Sequence, residues 1–228
     1  MDKDFLRNNL RMPAEWEKQK STWIAWPHNQ RDWPNKFEFI PFVFCEIISN
    51  ISIHQKINIL IEEKKNKKEI NFFLKKYLIN IKNINFRVCK TNRVWLRDSF
   101  PIFVKNKKNK KFLINWGFNG WAKYKNFNYD NKICSKIKKF VGLGSVTPTI
   151  KNKRIILEGG SIDVNGKGIL LTTRECLLSN IQARNPGLKK KDYEFIFKKY
   201  LGIEEVVWLN KGIAGDDTHG HIHDIARF

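Results

Sequence analysis

Three short segments of this sequence gather side chains suited to chemistry. The densest is GDDTHGHIHD (215–224), with three acids, three histidines and two glycines in ten residues. Packing alone does not account for that composition. Laid out as a strand, His219, His221 and His223 would face one way, because side chains alternate along an extended chain. Three imidazoles on one face could ligate Zn²⁺ or Fe²⁺. The competing use is acid–base work, with an imidazole carrying protons and the acids holding a cation. The second segment is TNRVWLRDSFP (91–101), where Arg97 and Asp98 stand among Trp95, Leu96, Phe100 and Pro101. It reads as an acid in an apolar wall or as an ion pair at a strand end. The third is ILEGGSIDV (156–164), where two glycines let backbone approach a ligand or turn sharply beside Glu158.

Elements able to position these segments follow from periodicity. TWIAW (22–26) reads as a buried strand that leaves into a loop at Pro27. Residues 36–50 carry apolar side chains at helical spacing, and Pro41 sets a helix start near it. KINILIEE (56–63) alternates as a strand with Ile57, Ile59 and Ile61 on one face. An amphipathic helix over 67–79 and a strand over 84–90 come next. The 94–105 segment starts as a loop and continues as a strand that pairs with 112–118, and 132–141 is helical. Strands at 154–166 and 167–173 are joined by an Asn165-Gly166 turn. A helix over 190–201 leads to a strand at 204–210. This alternation predicts an α/β fold in a single domain spanning 1–228 rather than a bundle or sandwich.

Composition narrows the function classes. Apolar residues at 42% and charged ones at 29% suit a globular chain. No apolar run approaches the roughly 18 residues that cross a bilayer, and MDKDFLRNNL lacks the apolar core of a secretory leader. Four scattered cysteines predict reduced, buried thiols and a cytoplasmic location. The net charge of +21 raises nucleic acid as a partner. The basic residues are mostly Lys in runs such as KKNKK (64–68) and KNKKNKK (105–111), whereas bidentate phosphate and base recognition favours Arg. These runs read as solvated surface, so no specific nucleic-acid partner and no membrane are expected.

Several motifs together carry a family resemblance: MPAEWE (12–17), STWIAWPHNQRDWP (21–34), TNRVWLRDSFPIFV (91–104), LEGGSIDVNGKGILLTT (157–173) and GDDTHGHIHD (215–224). With NWGFNGWAKY (115–124) and QARNPGL (182–188), the chain resembles the agmatine deiminase and bacterial (Porphyromonas-type) peptidyl-arginine deiminase family of the pentein superfamily. The resemblance implies a pentein-type α/β propeller, here about three of five modules. It also implies a hydrolase without metal or cofactor that turns a guanidino group into a ureido group and releases ammonia. Agmatine, leading to N-carbamoylputrescine and putrescine, is expected over peptidyl arginine. By the same resemblance Asp98 is a substrate-gripping carboxylate, His221 the general acid/base, Glu158 a supporting acid and Trp95 a wall for the substrate's alkyl chain. Asp217 and Asp224 join the substrate-binding set, and Asp216 shapes the loop.

The sequence departs from the family pattern at three places. His223 stands where the family has an Asp, and Asp224 would face the other way in a strand. Phe100 stands where the family usually has Gly. The nucleophilic Cys of the family lies downstream of the His motif, and none of Cys45, Cys89, Cys134 or Cys176 has its context. A C-terminally truncated member with little or no turnover is therefore expected, acting as a homo-oligomer or with a complementing C-terminal fragment. The alternatives are a non-catalytic module binding guanidines, polyamine-like cations or another subunit, and a metal hydrolase built on His219, His221 and His223.

Overall fold

The computed structural model describes residues 10–228, so the reading of the first nine residues lies outside the described ones. The elements run β1 (Leu10–Arg11), β2 (Ser21–Ala25), α1 (Ile40–Ser52), β3 (Lys56–Ile61), α2 (Asn66–Lys76), β4 (Ile84–Val88), α3 (Leu96–Ser99), β5 (Ile102–Asn106) and β6 (Lys111–Ile114). They continue with α4 (Ile133–Val141), β7 (Ser145–Val146), β8 (Thr149–Ile150), β9 (Lys153–Arg154), β10 (Ile162–Val164), β11 (Ile169–Thr173), α5 (Arg174–Leu178), α6 (Lys190–Leu201) and β12 (Glu205–Leu209). The fold is mixed α/β, and among the described residues no sheet closes on itself. The described residues gather into two compact units, one of residues 18–96 and 127–133, the other of residues 10–17, 97–126 and 134–228.

In the first of these, β2, β3 and β4 form a parallel sheet in that order, with α1 and α2 as the crossovers that parallel strands require. Pro41 sits in the first turn of α1, where its missing N–H costs nothing. Ile57, Ile59 and Ile61 pack with Cys45 and Ile48 of α1 and with Ile70 and Leu74 of α2. The alternation seen in the sequence is only half the pattern, because Asn58 and Leu60 on the other face are buried too. A central parallel strand is covered on both sides, which hides its period. The buried Asn58 amide is satisfied by donating to Ser21 Oγ at 3.0 Å.

The other unit contains the sheet β1-β5-β6-β7, the sheet β10-β11-β12 and the hairpin β8-β9. The Asn165-Gly166 turn joins β10 and β11 as an antiparallel pair, and β12 adds parallel to β11. One core serves both sheets, with Val104, Phe112, Ile114, Ile162, Val164, Leu170, Tyr193, Phe197 and Leu201 fully enclosed. The expected single strand over 154–166 is broken, because Gly159–Ser161 forms a 3₁₀ turn between short strands. The five-residue α5 is too short to show a helical period in the sequence.

Asp130 gives a test of the first unit. Its Oδ1 accepts the Asn92 backbone N–H at 2.7 Å, which ties the 127–133 segment to the loop after β4. Burial pushes its carboxyl up to about 6 from 3.8. A raised acid favours the fold at low pH and loses that advantage as pH rises from about 4 to about 6. An Asn keeps the accepting oxygen without the buried charge. Asp130→Asn should therefore stabilise the protein at pH 7.5 by on the order of 1–3 kcal/mol, with the difference fading below pH 4. Urea unfolding across that range checks it, and a less stable variant at pH 7.5 contradicts it.

Candidate active site

The site is built from four pieces of one unit: residues 97–99 of α3, the Glu158–Ser161 turn, the segment before α6 that carries Arg184, and the 216–224 loop. The two glycines of the turn explain how they come so close. A Cβ at Gly159 would lie 2.3 Å from the Arg97 carbonyl oxygen. A Cβ at Gly160 would lie 2.5 Å from His221 Nδ1, 2.6 Å from Asp98 Oδ1 and 2.7 Å from His223 Cε1. Bare backbone is thus the only thing that fits between the ionisable groups. The Gly160 N–H donates to Asp98 Oδ1 at 3.1 Å, and the buried Trp121 Nε1 donates to Asp98 Oδ2 at 3.1 Å.

Hydroxyls and one carboxylate fix the loops. Ser161 Oγ donates to the Glu158 carbonyl at 2.6 Å, and Thr172 Oγ1 to the Ser161 carbonyl at 2.8 Å. Thr173 Oγ1 donates to the Gly220 carbonyl at 2.5 Å and accepts the Cys176 N–H at 3.0 Å, capping α5. Asp216 accepts the backbone N–H groups of Thr218, Gly220 and His221 at 2.7, 2.8 and 3.0 Å. The Thr218 hydroxyl, which also donates to Asp216, and these N–H groups hold its carboxyl below the usual carboxylate range despite the opposing pull of burial. Asp216 therefore shapes the loop and sets the backbone of His221.

The predicted trio Asp98, Glu158 and His221 is brought together and almost wholly buried. His221 Nδ1 lies 3.8 Å from Asp98 Oδ1, and Nε2 lies 3.8 Å from Glu158 Oε2. Neither is a hydrogen bond, so the two ring nitrogens face the carboxylates through charge attraction. Burial would lower the imidazole's pKa, yet Glu158 and Asp98 outweigh it and hold it above 6.5. Asp98 goes the other way, raised by burial and by the Glu158 charge against the pull of His221 and Trp121. Glu158 is lowered, because His221 and Arg184 overcome its burial. The cluster pairs one acid that resists ionisation with one that favours it, across a proton-holding imidazole.

Arg184 is a buried member of this cluster that the sequence reading did not single out. It is fully buried, and its Nε approaches both Glu158 oxygens, at 3.1 and 3.3 Å. Its other nitrogens donate to the carbonyls of Gln182 and Thr218. The stretch QARNPGL marked it only as part of a resemblance. Trp121, the second addition, likewise lay in a motif without an assigned role.

The remaining predicted residues fall elsewhere. His219 has φ of +62° and Gly220 of +91°, so the 219–224 segment is no strand. It ends in a 3₁₀ turn over Ile222–Asp224, and His219 Nε2 pairs with Ser179 Oγ at 3.2 Å. The expected row of three imidazoles is therefore absent. Asp217 is exposed and bonded to Lys123 and to Tyr124 Oη. Trp95 belongs to the other unit, half exposed against the Trp33 ring. Asp224, freed from strand geometry by the turn, lies 3.2 Å from His223 Nε2. Ligand atoms of Glu158, Cys176 and His221 lie within 4.8 Å of one another, as do those of His221, His223 and Asp224. The Arg184 guanidinium on Glu158 opposes a cation in the first group, and in the second His223 already contacts the Gly160 carbonyl and Asp224.

The sequence model of the Porphyromonas-type peptidyl-arginine deiminases matches residues 11–228. The chain belongs to that family. It is 31% identical over 220 residues to the agmatine deiminase of Pseudomonas savastanoi pv. phaseolicola, covering 94% of this chain and 56% of that one. The agmatine deiminase structure from Enterococcus faecalis superposes with a TM-score of 0.84 at 30% identity, over 96% of this chain and 58% of that one. A substrate-bound C. jejuni agmatine deiminase gives 0.81 at 31%, over 96% and 62%. The chain spans between 56% and 59% of the length of the curated relatives it matches.

Two substitutions test the construction of this family member's site. Arg184→Leu leaves Glu158 buried without its counter-ion and should cost about 3–5 kcal/mol, read as a lowered midpoint in urea. Adding Glu158→Gln should recover part of that loss. A single variant as stable as the parent removes the buried pair from the account. Gly160→Ala should be destabilising as well, because its methyl has no room beside Asp98, His221 and His223.

Proposed function

We propose that this protein acts on a guanidino group in the manner of an agmatine deiminase. The observation that carries the reading is the buried convergence of Asp98 and Glu158 on the two ring nitrogens of His221, with Asp98 and His221 meeting at the Gly160 backbone. A guanidinium is flat and cationic, and carboxylates pair with its N–H edges. Asp98 uses one lone pair of each oxygen on Gly160 and Trp121, which leaves others for such an edge. In the reaction a thiolate bonds to the guanidinium carbon, His221 gives its proton to the departing nitrogen, and the C–N bond breaks to release ammonia. Water then adds with its proton taken by His221, and the sulfur leaves to give the ureido product.

The four thiols of the chain do not suit the nucleophile's role. All are buried, and burial pushes the thiols of Cys45 and Cys134 up to about 11. Cys176, near Glu158 and His221, is pushed up further still by burial. The 228 residues are therefore expected to bind a guanidine and turn it over slowly or not at all. The family match runs through both units and supports reading 1–228 as one deiminase domain with propeller-type modules. The relatives' substrate supports agmatine over peptidyl arginine. A cytoplasmic small-molecule enzyme is the role these features fit, and among the described residues no helix is long and apolar enough to cross a membrane.

Titration with agmatine tests this reading. The chain should bind it, and Asp98→Asn should weaken binding at least about tenfold, the loss of one charge-assisted contact. Ammonia release should stay near background. Efficient turnover by these 228 residues overturns the inactivity, and an unchanged affinity in Asp98→Asn overturns the clamp.

A further inference from the structure

The final loop sets two imidazoles and a carboxylate side by side at the edge of the buried cluster. One ligand atom each from His221, His223 and Asp224 lie within 4.8 Å of one another. Two of them are closer, His223 Nε2 and Asp224 Oδ1 standing 3.2 Å apart across the 3₁₀ turn. Around a tetrahedral ion with bonds of about 2.0–2.1 Å, neighbouring ligand atoms stand about 3.3 Å apart. The His223 ring is also turned to suit that use. Its Nδ1 is 2.9 Å from the Gly160 carbonyl oxygen, which leaves Nε2 on the Asp224 side. Metal-bound imidazoles usually set their other nitrogen on a carbonyl or carboxylate in this way.

His221 gives the set its independent sign of a ligand. Its side chain is fully enclosed, and among the described residues neither ring nitrogen makes a hydrogen bond. Buried polar atoms normally have a partner. The ring centroid lies 5.3 Å from that of His223. The surrounding charges suit a cation, since Asp98, Glu158 and Asp224 face the two rings while Arg184 is held on Glu158. His219 takes no part, because its Nε2 lies on Ser179 Oγ.

We propose that His221, His223 and Asp224 bind one divalent ion of the Zn²⁺ or Co²⁺ kind, and that this ion shuts the site to a guanidinium. Two nitrogens and one oxygen suit Zn²⁺ and leave a fourth position for water, whereas Mg²⁺ and Ca²⁺ take mainly oxygen. The ion occupies His221 and sets a double positive charge beside Asp98, whose Oδ1 is 3.8 Å from His221 Nδ1. A cationic guanidine is then repelled from the carboxylate it needs. The closure rests on the guanidine-binding reading above; the metal site does not.

Equilibrium dialysis and Co²⁺ absorption test the site in protein first freed of metal by a chelator. Close to one Zn²⁺ should bind per chain, excess Mg²⁺ should not displace it, and Co²⁺ in its place should show the visible bands of tetrahedral coordination. His223→Asn should weaken Zn²⁺ binding at least about 100-fold and Asp224→Asn at least about tenfold, each checked for native circular dichroism. Asp224→Asn, at the exposed ligand, serves where His223→Asn does not fold. No stoichiometric Zn²⁺, an affinity unchanged in the folded variants, or a thiolate–Co²⁺ band placing the ion on Cys176 overturns the site. Saturating Zn²⁺ should weaken agmatine binding at least about tenfold, and agmatine should weaken Zn²⁺ binding by the same factor. Agmatine bound equally well with and without Zn²⁺ overturns the closure alone. No agmatine binding to the metal-free protein overturns the guanidine reading and the closure with it.

Discussion

The site depends on a buried charge balance, centred on the contact between Arg184 and Glu158. Neither side chain touches solvent, so neither could be ionised there alone without a penalty of several kcal/mol. Together, and with carbonyls on the remaining guanidinium nitrogens, they place a fixed negative charge against one side of His221. Asp98 supplies the other side, held by a backbone N–H and an indole. The pKa of the imidazole is thereby held above its ordinary value, where burial alone would lower it. Removing the Arg184–Glu158 contact unmakes the electrostatics of the whole cluster.

Around that balance the architecture is economical. The glycine turn is where the groups meet, because it presents backbone and nothing else to three ionisable side chains. The 216–224 loop is folded by Asp216, whose carboxylate gathers three backbone N–H groups. Strands β10 and β11 matter to function chiefly through their ends, where Ser161, Thr172 and Thr173 bond the turn, the strands and the loop together.

Much of this was legible in the residue order. Strand β2, helix α1 and helix α6 lie where Pro27, Pro41 and the apolar period place them, and the Asn165-Gly166 turn makes its hairpin. The pairing of Asp98, Glu158 and His221 came from motifs, since no local rule brings residues so far apart in sequence to one point. What escaped has physical reasons. The positive φ angles of His219 and Gly220 break the extended chain that would have aligned three imidazoles, and alternation cannot reveal such a turn. Arg184 and Trp121 owe their roles to long-range burial, which leaves no periodic trace. The burial of Asn58 and Leu60 hid one face of β3 for the same reason.

The chain belongs to the Porphyromonas-type peptidyl-arginine deiminase family, and His223 stands beside Asp224 next to the buried cluster. The most direct measurement is a crystal structure of the protein with agmatine. The guanidinium is predicted against Asp98, with its plane bordered by the His221 and His223 rings and Arg184 still on Glu158. Agmatine bound at saturation on another surface, with the Asp98 carboxylate untouched, would contradict the account.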